Sequence, residues 1–518
     1  MQSAELLLLF LIVVAALVTL ARRLRTPYPV LLLLGGLALG AMPGVPRLEV
    51  PPDAVLLLVL PPIVYVTAFF TPIRSFRADV GHIVSLAVGL VLASTAAVAG
   101  VVLALVSGMT VPIAIALGAV VAPSDEVAAM AVMERLVVPR RLIGLVQGES
   151  LLNDATALTV YRVALGAAIA GTPILSLAPV GRFAVVAIGG IAIGLAVGWL
   201  IARVRAWLAD LPVEITVSLL TPYAAYLPAE LLGVSGVLAA VTAGLYLGRR
   251  ASRIMGSDVR LAARAVWEML VFLLNGIVFL LIGLEISALA RELDRRTLVT
   301  LVGAGVAVSA ALIGVRALWV LGIALWQRVV GHEATPLRPA EVAVLSWSGM
   351  RGVVSLAAAL AMPAGPLLAG RDAVLVITVT VICVTLVGQG TTLPWVIRAI
   401  HLGGDDAART EEQEARRLLV DEALRRIDAL YQQWPGHRPL LDQLRGAYGH
   451  RAEHIEQLDQ VPGSEAEQEL VEHRQIRRAV LDAQREAVLS MRDRGAIADD
   501  VLRNIERELD LEEIRMEA

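Results

Sequence analysis

The sequence predicts an all-α membrane protein ending in a helical soluble segment, and three observations carry that prediction. The chain of 518 residues is 57% hydrophobic, with a mean hydropathy of +0.73. Ordinary soluble domains hold roughly 45–50% apolar residues. Apolar runs of about 20 residues, each long enough to cross a bilayer core, recur from residue 4 to residue 398. Beyond that the composition inverts. Residues 401–518 hold 17 Arg against 27 Asp and Glu, whereas residues 1–400 hold 27 Arg against 20. The expected division is a transmembrane domain over 1–400 and a cytoplasmic helical tail over 401–518.

Thirteen spans are predicted. They lie near 4–21, 28–44, 53–70, 83–107, 111–133, 142–170, 181–203, 213–231, 234–248, 265–290, 298–327, 340–363 and 373–397. Loop charge orients them. With the tail inside, the inside loops carry 17 Arg, from Arg22 to Arg338, and the outside loops carry six, from Arg47 to Arg371. That asymmetry follows the positive-inside bias of a multi-pass membrane protein. An odd number of spans then puts the N-terminus outside. The first span lacks a basic segment before its apolar run and a small-x-small cleavage site, so it reads as a retained helix.

Composition also excludes chemistry. All 44 basic residues are Arg, so Schiff-base and lysine general-base catalysis have no residue to use. Cys383 is the single cysteine and lies in an apolar run, as a small packing residue does. The seven histidines show no metal-ligand spacing, and five lie in or beside the tail. No enzyme activity, cofactor or nucleic-acid partner is expected; the lipid bilayer is.

Two spans are interrupted. Span five breaks at Ala122-Pro123-Ser124-Asp125-Glu126, and span twelve at Ser346-Trp347-Ser348-Gly349-Met350-Arg351-Gly352. Their offset is odd, so the two cross the membrane in opposite directions. Interrupted helices at matching places in two halves point to inverted repeats with a site at their meeting point.

The ionisable residues there carry the chemistry, because a charge buried in a membrane faces a cavity or a partner. Pro123 lacks an N–H and frees a carbonyl near Ala119, an oxygen of the kind a dehydrated alkali cation takes. Ser124 is placed to cap the resuming helix, with Asp125 and Glu126 in its first turn, where the macrodipole favours negative charge. In span six, Ser150 and Asp154 are four apart and share a face, while Glu149 and Asn153 share the neighbouring one. A carboxylate on such a face can hold a proton or a cation, and competition for it couples the two. Arg351 cannot deprotonate and needs an anionic partner, for which Glu149 is the candidate. Arg162, Glu268, Glu285 and Arg316 are expected in helix-packing ion pairs.

The tail has apolar residues at helical spacing, including Leu418, Leu419, Ala423, Leu424, Ile427, Leu430 and Tyr431. Breaks are predicted at Trp434-Pro435-Gly436 and Val461-Pro462-Gly463-Ser464.

Several motifs in order then resemble a monovalent cation:proton antiporter of the sodium/proton exchanger branch. They are Pro61-Pro62, Gly148-Glu149-Ser150-Leu151-Leu152-Asn153-Asp154, Gly233-Val234-Ser235-Gly236-Val237-Leu238 and Trp267-Glu268. Phe279-Leu280-Leu281-Ile282-Gly283-Leu284, Gly349-Met350-Arg351-Gly352 and Gly388-Gln389-Gly390 complete the set. The resemblance implies a homodimer of thirteen-helix protomers and exchange of Na⁺, with Li⁺ or K⁺ as further candidates, for H⁺ by alternating access. It implies an alkali cation at Asp154, a site bound or shaped by Ser150, Ser124 and Asp125, and Asn153 positioning Asp125. It also implies a Glu149–Arg351 ion pair. The Asn153-Asp154 pair, in a chain without lysine, resembles the electroneutral branch.

Two positions depart from the family pattern. Glu126 stands where a proline is common, and Val66 stands where a carboxylate is common. Two readings follow: Glu126 is an accessory candidate that partly compensates for the ligand missing at Val66, or water and backbone hold the ion there instead. The alternatives are a K⁺/H⁺ antiporter and, from another class, a non-transporting ion or pH sensor that signals through the tail.

Overall fold

The computed structural model describes residues 3–24, 26–42, 52–71, 73–133, 136, 138–171, 177–208, 210–330, 336–362, 370–400, 406–458, 465–494, 496 and 499–517. Every regular element among them is helical. The chain divides into two compact units, Met1–Gly404 and Asp405–Ala518.

The first unit opens with α1 (Ser3–Leu24), α2 (Tyr28–Ala41) and α3 (Pro52–Phe70). Short α4 (Ile73–Ala78) and α5 (Val80–Val84) lead through a π-helical turn at Ser85–Leu90 into α6 (Val91–Leu105). Next come α7 (Val111–Val121), α8 (Glu126–Met133) and α9 (Arg140–Ala170). They are followed by α10 (Leu177–Arg205), α11 (Leu211–Leu231) and α12 (Gly236–Ile254). The long α13 (Ser257–Glu292) and α14 (Arg295–Val330) precede α15 (Pro339–Trp347) and α16 (Val353–Leu360). Then α17 (Arg371–Cys383), a second π-helical turn at Val384–Gln389 and α18 (Gly390–Ala399) end the unit. Among the described residues, six helices combine the length and apolarity needed to cross a membrane, including Val111–Met133 counted across its break.

The helices sort into two groups by what they pack against. In one, α13 lies along α2, α3 lies along α12, and α10 and α11 flank α12. In the other, α7 packs on α6 and α9, while α14 packs on α6, α15 and α17. Close approach within the first group depends on small residues: a Cβ on Gly36 or Gly283 would overlap the facing backbone of α13 or α2. Without a strong hydrophobic drive between helices in lipid, such backbone-to-backbone packing is what holds a pair together.

Pro61 and Pro62 lie inside α3. A proline removes the bond to the carbonyl four residues earlier, which for Pro62 is that of Leu58. Tyr223 Oη of α11 donates to the Leu58 carbonyl oxygen at 3.0 Å and so replaces the missing donor. The helix is thereby tied to its own group, and its later residues Ile63, Val64 and Thr67 line a small cavity described below.

The second unit holds α19 (Asp406–Gln433), a 3₁₀ turn at Pro435–His437 and α20 (Arg438–Leu458). It ends with α21 (Glu465–Asp493) and α22 (Asp499–Glu517). The turn falls at the expected Trp434-Pro435-Gly436 break, and the expected loop at 461–464 lies outside the described residues. Val420, Ile427 and Leu441 are buried, whereas Leu418 and Leu419 are exposed. Arg485 of α21 binds Asp510 and Glu513 of α22, each at 2.6 Å.

Candidate cation and proton site

The two interrupted helices meet at their breaks. Asp125 N donates to Met350 O at 2.7 Å, joining the α7–α8 break to the α15–α16 break. Each break creates one free helix N-terminus and one free C-terminus, with opposite partial charges. Two charged side chains occupy these ends.

Asp125 serves the N-termini. Its Oδ1 accepts from Val127 N at 2.9 Å, so Asp125 caps α8, where Ser124 was the expected cap. A Cβ on Gly352, the N-cap of α16, would overlap the Asp125 carboxylate, which places that carboxylate against the second N-terminus as well. Only glycine leaves the room.

Arg351 serves the C-termini. Its Nε donates to Val121 O at 3.0 Å, its Nη2 to Ala122 O at 3.4 Å and its Nη1 to Gly349 O. The expected Glu149–Arg351 ion pair is therefore corrected. The planar guanidinium of Arg351 is filled by carbonyl oxygens that the broken helices leave open.

Glu149 pairs instead with Arg316 of α14. Arg316 Nη1 and Nη2 donate to Glu149 Oε1 and Oε2 at 2.5 and 2.7 Å, and both side chains are nearly inaccessible. Such fork-to-fork bonding is the strong form of the arginine–carboxylate pair. Arg316 Nε also donates to Leu345 O at 2.7 Å, which holds the end of α15. Ser124 Oγ donates to Glu149 Oε1 at 2.8 Å, and Asn153 Nδ2 donates to Ser124 Oγ at 3.0 Å and to Ser124 O at 3.2 Å. Asn153 thus holds the residue beside Asp125. Of the other ionisable groups expected in packing pairs, Arg162 binds Glu230 at 2.9 Å and Glu268 binds Arg264 at 2.8 Å.

On the adjoining face of α9, Ser150 and Asp154 line a cavity of about 40 Å³ with Pro123, Ser124, Asp125, Glu126, Gly352 and Ser355. A water needs about 10–15 Å³ of such space, so the cavity has room for an ion with one or two waters. Ser150 Oγ donates to Ser124 O at 3.3 Å. Asp154 is 8% exposed, and no protein hydrogen bond to its carboxylate is formed among the described residues. Asp125 and Glu126 act on it electrostatically. Among the described residues, no three His, Cys, Asp or Glu side chains converge as a metal-ligand set.

Two cavity residues escaped sequence reasoning. Thr67 Oγ1 of α3 donates to Glu126 Oε1 at 2.7 Å, one position after Val66. Asn275 of α13 is 1% exposed and lines the same cavity. The available signal for Asn275 was a lone amide in an apolar span. Arg316, expected in a helix-packing ion pair, forms one with Glu149.

The comparisons with known proteins agree with this architecture. The sequence profile of the family described as "Sodium/hydrogen exchanger, transmembrane" matches residues 9–399. An uncharacterised Na⁺/H⁺ exchanger of Mycobacterium tuberculosis is 36% identical over 528 aligned positions, covering 98% of this chain and 96% of the relative. The Na⁺/H⁺ antiporter ApNhaP of Aphanothece halophytica is 33% identical, covering 78% of this chain and 76% of its own length. The solved sodium proton antiporter MjNhaP1 of Methanocaldococcus jannaschii superposes with a TM-score of 0.60 at 20% identity, covering 77% of this chain and 98% of that one, and so shares the fold. The chain belongs to the sodium/hydrogen exchanger family, whose members are membrane-spanning cation/proton antiporters and not enzymes.

Proposed function

We propose that the protein exchanges Na⁺, with Li⁺ and K⁺ as further candidate substrates, for H⁺ at Asp154. The observation that carries this reading is the bare Asp154 carboxylate, buried at a small cavity beside the crossing of two broken helices. A carboxylate with no fixed protein donor can take a proton or a cation, and occupancy by one excludes the other. That exclusion couples the two fluxes. Ser150 and the Ser124–Asp125 segment supply oxygens beside it, Asn153 holds that segment, and Glu126 is an accessory group. The Glu149–Arg316 pair and Arg351 form the scaffold behind it.

The reading continues to alternating access by a thirteen-span protomer with inverted repeats, N-terminus outside and tail in the cytoplasm, working as a homodimer without a cofactor. The apolar exposed face of α10, with Val185, Ile188, Leu195 and Trp199, supports a surface covered by lipid or a second protomer. Electroneutral exchange rests on a single exchangeable carboxylate in a chain without lysine.

Proteoliposomes loaded with a pH-sensitive dye test this. Addition of Na⁺ is expected to dequench the dye, and clamping the membrane potential with valinomycin and K⁺ is expected to leave the rate unchanged. A rate that follows the potential would overturn electroneutrality. A response to K⁺ alone would make the protein a K⁺/H⁺ antiporter, and no response to any alkali cation would favour a sensor.

A further inference from the structure

Three polar side chains at the cavity have no part in the scaffold just described, and two of them leave buried polar atoms unpaired. Glu126 Oε1 is bonded to Thr67, but Glu126 Oε2 is buried without a hydrogen-bond partner. Asn275 leaves both Oδ1 and Nδ2 unpartnered while it lines the same cavity. Buried polar groups are paired in folded proteins, and exceptions call for a bound species or a functional role. The unpaired atoms come from different elements, α8 and α13, and Thr67 adds a third, α3.

The cavity's size makes protein oxygens necessary. An ion entering a space of about 40 Å³ keeps only one or two waters. Hard cations collect oxygen ligands, about six for the small ones. On α9 only Asp154 and the Ser150 hydroxyl are available, and that hydroxyl already donates to Ser124 O. The shell is incomplete on that side alone.

Charge adds a second argument. Glu126 is one of three carboxylates lining the cavity, with Asp125 and Asp154. The two buried guanidinium groups nearby are engaged elsewhere, Arg316 by Glu149 and Arg351 by backbone carbonyls. Adjacent carboxylates without a basic partner need a proton or a cation between them. An amide is suited to this place because its oxygen can ligate the cation while its NH₂ donates to a carboxylate.

We propose that Glu126, Asn275 and Thr67 form the second side of the cation's oxygen shell, directly or through one bridging water, and thereby set which alkali cation is preferred. The inference rests on the reading of Asp154 as the exchange site. Its structural consequence is that a bound ion joins α9, which carries Asp154, to α8, α3 and α13. Departure of the ion releases that joint.

The test is Na⁺-, Li⁺- and K⁺-driven proton flux in proteoliposomes of the full chain, for Glu126→Gln, Asn275→Ala, Thr67→Val and Thr67→Ser. Loss of a ligand is expected to raise the half-saturating Na⁺ concentration about 10-fold, in the range of supporting-group losses at metal sites. Maximal rate should fall less than affinity, the Li⁺:Na⁺:K⁺ preference should change, and Thr67→Ser should retain the affinity that Thr67→Val loses. Unchanged half-saturation and preference in both Glu126→Gln and Asn275→Ala would overturn the proposal. If a variant gives no flux, the rise in its thermal unfolding temperature on adding NaCl, against choline chloride, replaces the flux reading. A shift equal to the unsubstituted protein's overturns the proposal, and a lost shift in a folded variant supports it. Asp154→Asn separates the two levels: retained flux there would refute the exchange site itself, whatever the other variants do.

Discussion

Glu149 and Arg316 close a bidentate ion pair at 2.5 and 2.7 Å, tying α9 to α14 behind the exchange cavity. Both side chains are almost fully removed from solvent, at 3% and 2% exposure. Breaking such a pair from one side leaves an uncompensated buried charge, which costs about 3–5 kcal/mol. Glu149→Gln and Arg316→Met are each expected to destabilise the protein by about that amount, and the double variant by less than the sum of the two. Thermal unfolding in detergent measures this. Additive losses would show that the two residues do not act as a pair.

Arg351 is expected to matter for the crossing of the broken helices and not as the partner of Glu149. Its guanidinium donates to Val121 O, Ala122 O and Gly349 O. Arg351→Met leaves these carbonyls without donors, at about 1–3 kcal/mol for each that finds no water. Lysine restores one point charge but not the planar fork, so Arg351→Lys should recover only part of the loss. Full recovery of unfolding temperature by Arg351→Lys would contradict the geometry.

Gly352→Ala probes the contact between the two N-termini. The added Cβ would meet the Asp125 carboxylate, so one of the two must move. Overpacking of this kind costs about 1–3 kcal/mol. Because Asp125 lines the cavity, a weakened apparent Na⁺ affinity should accompany the stability loss. Unaltered stability and affinity would mean that Asp125 has another position open to it.

Asp294, between α13 and α14, gives a pH dependence outside the membrane. The Thr297 side chain and amide hold its carboxyl below the usual value, and Asp294 Oδ2 accepts from Thr297 N at 3.0 Å. A lowered folded-state value means that the cap's contribution is full above the unfolded Asp value, about 3.9. It is lost as pH falls through the lower folded-state value. Hydrogen exchange at the start of α14 should therefore stay slow down to about pH 4 in the unsubstituted protein. In Asp294→Ala it should be faster above about pH 4, the difference closing as pH falls through the folded-state value of Asp294. Equal exchange in the two proteins would remove the cap from the account.

Much of the architecture was legible because breaks in an apolar span are conspicuous. Pro123 with Asp125 and Glu126 marks the gap between α7 and α8, and Gly349 with Gly352 marks the gap between α15 and α16. Spacing on one helix also placed Ser150 and Asp154 on one face and Glu149 and Asn153 on another. What failed was pairing. Arg351 is satisfied by backbone carbonyls, which leave no mark in a side-chain pattern. Arg316 lies 167 residues from Glu149, with nothing local to connect them. Asn275 carries no sequence signal of its role, because a single amide creates no spacing. The π-helical turns at Ser85–Leu90 and Val384–Gln389 have no composition signal either.

The central claim is that proton and cation compete for Asp154. It is tested most directly by proton release from the purified protein in weakly buffered solution, followed with a pH indicator as NaCl is added. The account predicts saturable release in step with Na⁺ binding, absent on adding choline chloride and abolished in Asp154→Asn while that variant remains folded. Undiminished Na⁺-driven release from folded Asp154→Asn would contradict it.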